Sequence, residues 1–207
     1  MIRGTPYRWL NLVDVCRKLL PRDEVERVKY FTARVDARVG DPDQPLRQMR
    51  YWRALRTLGN VEIILGHFLT APKTMPELAS AERINVLAAQ GVDVHGMRPN
   101  MVRVLRSEEK GTDVNLAAHL VHDAHRNRFE AAAVISNDSD LKEAVRIVRR
   151  EVGKVVGVFT PHRDRHSVQL KKTASFFRGI PVEALKASLF PDELSDERGA
   201  FRKPGNW

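Results

Sequence analysis

The stretch Val134-Ile135-Ser136-Asn137-Asp138-Ser139-Asp140 decides how this chain reads. A short apolar run, Ala131 to Ile135, ends in two carboxylates separated by a single serine. Leu141 to Arg150 then carries the period of a helix. Small apolar residues throughout imply a strand covered on both faces, so the segment predicts strand, turn and helix in an α/β sheet. In open parallel sheets ligands collect beyond the carboxyl ends of the strands, where Asp138 and Asp140 would project. Two readings of these acids stay open. One is a divalent-metal site; the other is a helix cap, with Asp140 and Glu143 at capping-box spacing, a device worth about 1 kcal/mol.

Outward from this stretch, strands and helices alternate. Val25 to Val35 reads as a strand, Asp41-Pro42-Asp43-Gln44-Pro45 breaks it, Leu46 to Leu58 reads as a helix closed by Gly59-Asn60, and Val61 to Leu69 as the next strand. Thr70 to Asn100 is expected to be loops, cut by Pro72, Pro76 and Pro99, with a short helix around Leu78 to Ala89. Met101 to Leu105 looks like a short strand. Val114 to Ala124 places Val114, Ala117, Leu120, Val121 and Ala124 on one helical face, with Asp113 at its start. Beyond Arg150 come a strand at Val155 to Phe159, a loop opened by Pro161 and a helix near Val182 to Leu189. Pro191 to Trp207 is polar and contains Pro and Gly, so it is expected to be mobile. The alternation predicts a parallel sheet flanked by helices.

A chain of 207 residues with 43% hydrophobic residues can bury a real core, and one domain with a tail is the favoured division. Its 35 Lys and Arg against 26 Asp and Glu give a formal net charge of +9, for which a polyanion is the natural partner. Between Leu141 and Arg178 ten basic residues face three acids, so that stretch alone supplies +7. Basic helix faces are also often plain solvated surface. Cys16 is the sole cysteine, which excludes an intramolecular disulfide and a thiolate zinc cluster and fits a reducing compartment. No apolar run approaches the roughly 20 residues that span a bilayer, and no signal-peptide core is visible, so a soluble cytoplasmic protein with no membrane partner is expected.

Two ordered stretches, Glu109-Lys110-Gly111-Thr112-Asp113-Val114-Asn115-Leu116-Ala117 and Ser136-Asn137-Asp138-Ser139-Asp140, resemble the NYN domain family of the PIN-like nuclease superfamily. That family shows a Lys-Gly-x-Asp-Val segment opening a helix and, about twenty residues later, a Ser-Gly-Asp-Ser-Asp strand end. Gly4 to Leu10, Tyr30-Phe31-Thr32-Ala33 and Thr160-Pro161 with Ser167 and Leu170 extend the likeness from Arg3 to about Ile180. The resemblance implies a three-layer PIN-like (Rossmann-like) α/β domain over residues 1–180, with a C-terminal helix and tail at 181–207. It also implies metal-dependent hydrolysis of RNA, with Asp113, Asp138 and Asp140 as catalytic, metal-binding acids for Mg or Mn and Ser136 and Asn137 shaping the turn. Hard cations held by carboxylates suit phosphodiester hydrolysis, because they generate a nucleophilic water and stabilise the leaving oxygen. Arg146, Arg149, Arg163, Arg165, Lys171 and Lys172 are the expected RNA-binding residues.

Three departures from the family pattern stand out. His119 occupies a position where the family often has a further Asp, and reads as a histidine on a polar helix face. Asn137 replaces the usual Gly, which Asn can do in left-handed geometry. A strand ending in Asp, with a nearby Asn, normally precedes the segment matched by Gly4 to Leu10; its absence from this sequence is expected to lower stability and weaken hydrolysis. That strand lies mid-sheet in the family. The strands Val25 to Val35 and Ala131 to Ile135 would then leave a gap, pair directly, or accept another segment or subunit between them. The alternative to a ribonuclease is therefore a catalytically impaired RNA-binding module, and homo-oligomer formation is left open. A haloacid-dehalogenase-type phosphatase fits poorly, since the other Asp-x-Asp, Asp41-Pro42-Asp43, is followed by Gln44-Pro45. His162 with His166, and His119 with His122 and His125, have spacings that suit a metal but lack companions. Trp9, Trp52, Tyr30 and Tyr51 read as core fillers before base-stacking platforms.

Overall fold

In the computed structural model, which describes residues 5–37, 40–161 and 166–205, apolar strands and amphipathic helices alternate as their sequence periods require. The chain divides into two units, Met1–His67 with Gly111–Trp207, and Phe68–Lys110. In the first unit β1 (Val28–Ala33) runs parallel to the start of β2 (Val61–Pro76), Val28 opposite Val61 through Ala33 opposite Gly66. Between them α2 (Gln44–Arg56) starts on Pro45, where the missing N–H costs nothing. A second, all-parallel sheet orders β4 (Ala131–Ile135), β5 (Val155–Thr160) and β6 (Phe176–Gly179). Its crossovers are α5 (Lys142–Arg150) and α6 (Val168–Thr173), and α4 (Thr112–His125) leads into β4. A Cβ on Gly157 in β5 would lie 2.0 Å from the Phe176 ring, so a side chain there would require that ring to shift.

Three apolar clusters hold this unit. Leu120 and Ala124 of α4, Val134 of β4, Val145 and Val148 of α5 and Val156 and Val158 of β5 form the largest. Leu10, Val15 and Leu19, the latter two in α1 (Leu12–Leu19), cover Phe159 on the opposite face of β5 together with Leu185 of α7 (Val182–Lys186). Trp9, Tyr51, Trp52 and Leu55 pack with Phe190 and Phe201 in the third. Trp9, Tyr51 and Trp52, with the half-buried Tyr30 of β1 against them, are therefore packed side chains; Trp9 is 0% and Trp52 3% exposed.

Several expectations change. The end of the chain is not a loose tail: β7 (Glu193–Asp196) and β8 (Gly199–Arg202) form an antiparallel hairpin, and Trp9 donates its indole N–H to the Pro191 carbonyl at 2.8 Å. Two aromatics, Phe190 and Phe201, anchor a segment whose average composition is polar. The single parallel sheet is, among the described residues, two three-stranded sheets, and the first, ordered β1-β2-β3 (β3, Met101–Lys110), is mixed. Among the described residues β1 and β4 are outer strands of separate sheets and do not pair with each other. Nor is β4 covered on both faces. The layer over Phe159 stops at β5, leaving Ala131, Ala133 and Ile135 exposed.

In the second unit β2 continues to Pro76, through prolines expected to end it. Thr70 Oγ1 donates to Ser107 Oγ at 2.9 Å and the Glu77 N–H to the Asn100 carbonyl at 2.8 Å, so β2 and β3 run antiparallel here. β1 pairs only with Val61 to Gly66, so the later part of β2 has a free edge on which a residue without N–H is tolerated. The helix α3 (Leu78–Ala89) joins the two strands as expected.

Candidate metal and nucleic-acid site

The acidic turn is built by β4 and a single 3-10 turn, Ser139–Leu141. Ser136 continues the ladder by donating its N–H to the Phe159 carbonyl at 3.2 Å, and its Oγ accepts the Asp138 N–H at 3.1 Å. Asp138 Oδ1 in turn accepts the Asp140 N–H at 2.9 Å. The cap is thus Asp138 on the 3-10 turn, and the Asp140 and Glu143 box does not form: Leu141 precedes α5 without a side-chain cap, and Glu143 binds Arg146 at 2.6 and 2.9 Å. Asn137 is not left-handed, since among the described non-glycine residues only Asn127 has positive φ. Its side chain is what matters. Oδ1 accepts the Ser167 N–H at 2.8 Å and the Thr160 hydroxyl at 3.3 Å, tying the end of β4 to the end of β5 and the start of α6.

Asp113 lies in the first turn of α4, where the helix dipole favours a carboxylate, after Gly111 at φ 86. α4 packs beside the 3-10 turn that carries Asp140 and beside α5. Asp138 is half-buried, whereas Asp113 and Asp140 are exposed. Among the described residues no three His, Cys, Asp or Glu side chains are grouped so as to hold a metal ion. The donors present are hard carboxylate oxygens, which match Mg or Mn chemically, but they do not make a protein-only cage. Mg is commonly held by one or two carboxylates, with water and substrate phosphate completing the shell.

Of the expected RNA-binding residues, Arg146 is bound to Glu143 and Glu151, the latter at 2.8 Å, and its charge is locally matched. Arg149 donates to the Thr173 carbonyl at 3.0 Å, joining α5 to the end of α6. Lys171 and Lys172 are exposed in the last turn of α6. Arg163 and Arg165, with His162, lie outside the described residues.

A partly buried ionic cluster escaped the sequence reading. Lys29 of β1 reaches Asp123 at 2.5 Å, Glu62 at 3.8 Å and Nδ1 of His119 at 3.0 Å. An ammonium only donates, so Nδ1 is the acceptor and His119 carries its proton on Nε2. His119 also meets the Phe31 ring edge-on at 5.6 Å, so it is not plain surface, while His122 and His125 are exposed. Burial alone would raise the Asp123 carboxyl; the Lys29 ammonium and the Arg128 guanidinium, 3.0 Å away, outweigh it and hold the group below its ordinary value. The signal was available: a lysine inside an apolar strand, and an aspartate between Leu120 and Ala124 on a buried helix face, each require a partner.

Residues 24–180 match the NYN domain family, which is most of the chain and includes both acidic motifs. The chain is also 29% identical over 181 residues to 6-hydroxy-3-succinoylpyridine 3-monooxygenase HspA of Pseudomonas putida (strain DSM 28022 / S16), covering 77% of this chain and 54% of that protein. It therefore spans about half the length of this relative. A crystal structure of a protein of unknown function from Vibrio parahaemolyticus RIMD 2210633 aligns over 81% of this chain and 99% of its own, at 16% identity and a TM-score of 0.34. No helix among the described residues is long and apolar enough to cross a membrane. From the ordered motifs, the α/β elements that carry them and the family match, the chain belongs to the NYN domain family and, with it, to the PIN-like nuclease superfamily.

Proposed function

We propose that the chain hydrolyses RNA phosphodiesters with Mg or Mn at the acidic end of the second sheet. The observation that carries this is the pair Asp138 and Asp140 directly after the end of β4, within a family match over residues 24–180 that also takes in Asp113 in the first turn of α4. A bound cation would supply an activated water and charge stabilisation at the leaving oxygen. The chain's own contribution is positioning. Ser136 and Asn137 fix the turn from which Asp138 and Asp140 project, and Asn137 locks that turn to α6, whose Lys171 and Lys172 face solvent and would engage phosphates as point charges. Arg163 and Arg165 are also proposed to bind RNA.

Two further readings rest on specific observations. The lack of a three-ligand group among the described residues favours RNA binding without hydrolysis. Similarity to a 6-hydroxy-3-succinoylpyridine 3-monooxygenase makes ring hydroxylation of that pyridine the other. One experiment separates the three. The purified chain is incubated with single-stranded RNA and Mn, with and without chelator, and in parallel with 6-hydroxy-3-succinoylpyridine, dioxygen, and a reduced nicotinamide and flavin as two-electron donor. Chelator-sensitive cleavage that Asp140→Asn abolishes is the expected result; binding without cleavage, or a hydroxylated pyridine, overturns it.

A further inference from the structure

The second unit, Phe68–Lys110, contributes no residue to any of the three apolar clusters. Nine of the seventeen exposed large hydrophobics among the described residues lie in it, including Leu69, Leu78, Val86, Met101, Val104 and Leu105. Not one residue of α3 is buried. An isolated strand pair with one helix cannot stabilise itself by burial, so its apolar side chains call for an outside surface. β3 is also the outer strand of its sheet, ten residues long, and therefore offers an unused row of backbone donors and acceptors.

The chemistry of this unit speaks against a polyanion as the partner. It carries six basic and five acidic residues, a net of +1, so the remainder of the chain holds +8 of the +9. Residues of β3 alternate between faces. Arg106, Glu108 and Lys110 share one, where Glu108 binds Arg106 at 2.6 Å, Lys110 at 2.7 Å and Lys73 of β2 at 3.9 Å. These cations hold the Glu108 carboxyl below its ordinary value, Lys110 contributing most. Met101, Arg103, Leu105, Ser107 and Glu109 share the other face, where Leu105 is 73% and Met101 57% exposed.

We propose that β3 is a self-association edge, pairing antiparallel with β3 of a second copy of this chain to make one continuous sheet. A two-fold axis perpendicular to the sheet sets residues of the same face opposite one another, which leaves two central registers. Centring on Arg106 places two guanidiniums together and is disfavoured; centring on Leu105 stacks the two most exposed leucines and sets Arg103 opposite Ser107 and diagonal to Glu109 of the second copy. Near-neutrality lets two such edges approach, whereas the basic remainder would repel a copy of itself. Isologous pairing of this kind closes at a dimer.

Sedimentation velocity across the micromolar range tests it. The expected result is a dimer that dissociates on dilution, with Leu105→Lys raising the dissociation constant at least about tenfold while the thermal melt is unchanged. In a Cys16→Ser background, Leu105→Cys is expected to form disulfide-linked dimers under mild oxidation, and Arg98→Cys, outside the strand, is not. A chain that stays monomeric throughout, or a dimer indifferent to Leu105→Lys and to the position of the cysteine, overturns the proposal. RNA binding lost in Leu105→Lys with the mass unaltered would also overturn it, placing nucleic acid on this edge.

Discussion

Asp138 is asked to do two things, and its substitutions separate them. Asparagine caps about as well as aspartate, so Asp138→Asn should keep the Asp140 N–H bond and leave the melting temperature in place while RNA cleavage falls steeply. Cleavage that survives this change would reduce Asp138 to a cap. Asn137→Ala is the structural counterpart: it removes the acceptor for the Ser167 N–H, and a loss of about 1–2 kcal/mol is expected in urea unfolding. An acid-sensitive contact lies elsewhere. The hydrogen bonds from Arg53, whose guanidinium also sits 4.1 Å over the Phe201 ring, bring the Asp196 carboxyl from 3.8 down to about 2. Because the folded value is the lower one, this contribution is complete above the ordinary carboxylate range and is lost as pH falls from about 4 to about 2. Tryptophan fluorescence should show the hairpin of β7 and β8 loosening over that interval, and Arg53→Gln should abolish the step.

At the scale of elements, β4 presents Ala131, Ala133 and Ile135 to solvent on the outer strand of its sheet, without a charge among them. Such an edge is prone to pair with other chains. Ala133→Lys should reduce light scattering during heating and leave the midpoint of unfolding nearly unchanged; equal scattering would mean the edge is harmless. What could be read in the sequence follows from how local the cause was. Periodicity placed α2, α3, α4 and α5 within a few residues, and the Asp138-Ser139-Asp140 turn needed only its neighbours. Strand ends were harder, because whether Pro72 interrupts β2 depends on which edge it occupies, a matter of pairing with β1 more than thirty residues away. The covering of β4 failed for a similar reason: composition records that a run is apolar, not which distant layer reaches it. In the candidate site, the motif singles out Asp113, Asp138 and Asp140 as the proposed metal-binding acids, while the Lys29, His119 and Asp123 cluster joins β1 to α4 across some ninety residues and was invisible to spacing.

For the whole molecule, the uneven charge sets how RNA would be held. Affinity should fall steeply with added salt, since bound phosphates release counterions. The structure distinguishes contributors: Arg146 is already matched by Glu143 and Glu151, so Arg146→Gln should matter less than Lys171→Gln with Lys172→Gln, which should flatten the salt slope by about 1–2. Filter binding over a salt series decides the comparison, and a larger effect from Arg146 would contradict it.

The bond from Trp9 to Pro191 closes a loop of 182 residues, and Trp9 and Trp52, two of the chain's three tryptophans, sit in the cluster it completes. The second sheet, by contrast, is made by a continuous run from Ala131 to Gly179. Short loops close sooner than long ones, so refolding should be ordered in time, with the sheet of β4, β5 and β6 acquiring structure while the two ends of the chain are still apart. Circular dichroism should therefore recover ahead of tryptophan emission after dilution from denaturant, and the interval between them would measure how long the molecule remains unbuckled, with its apolar aromatics available to other chains.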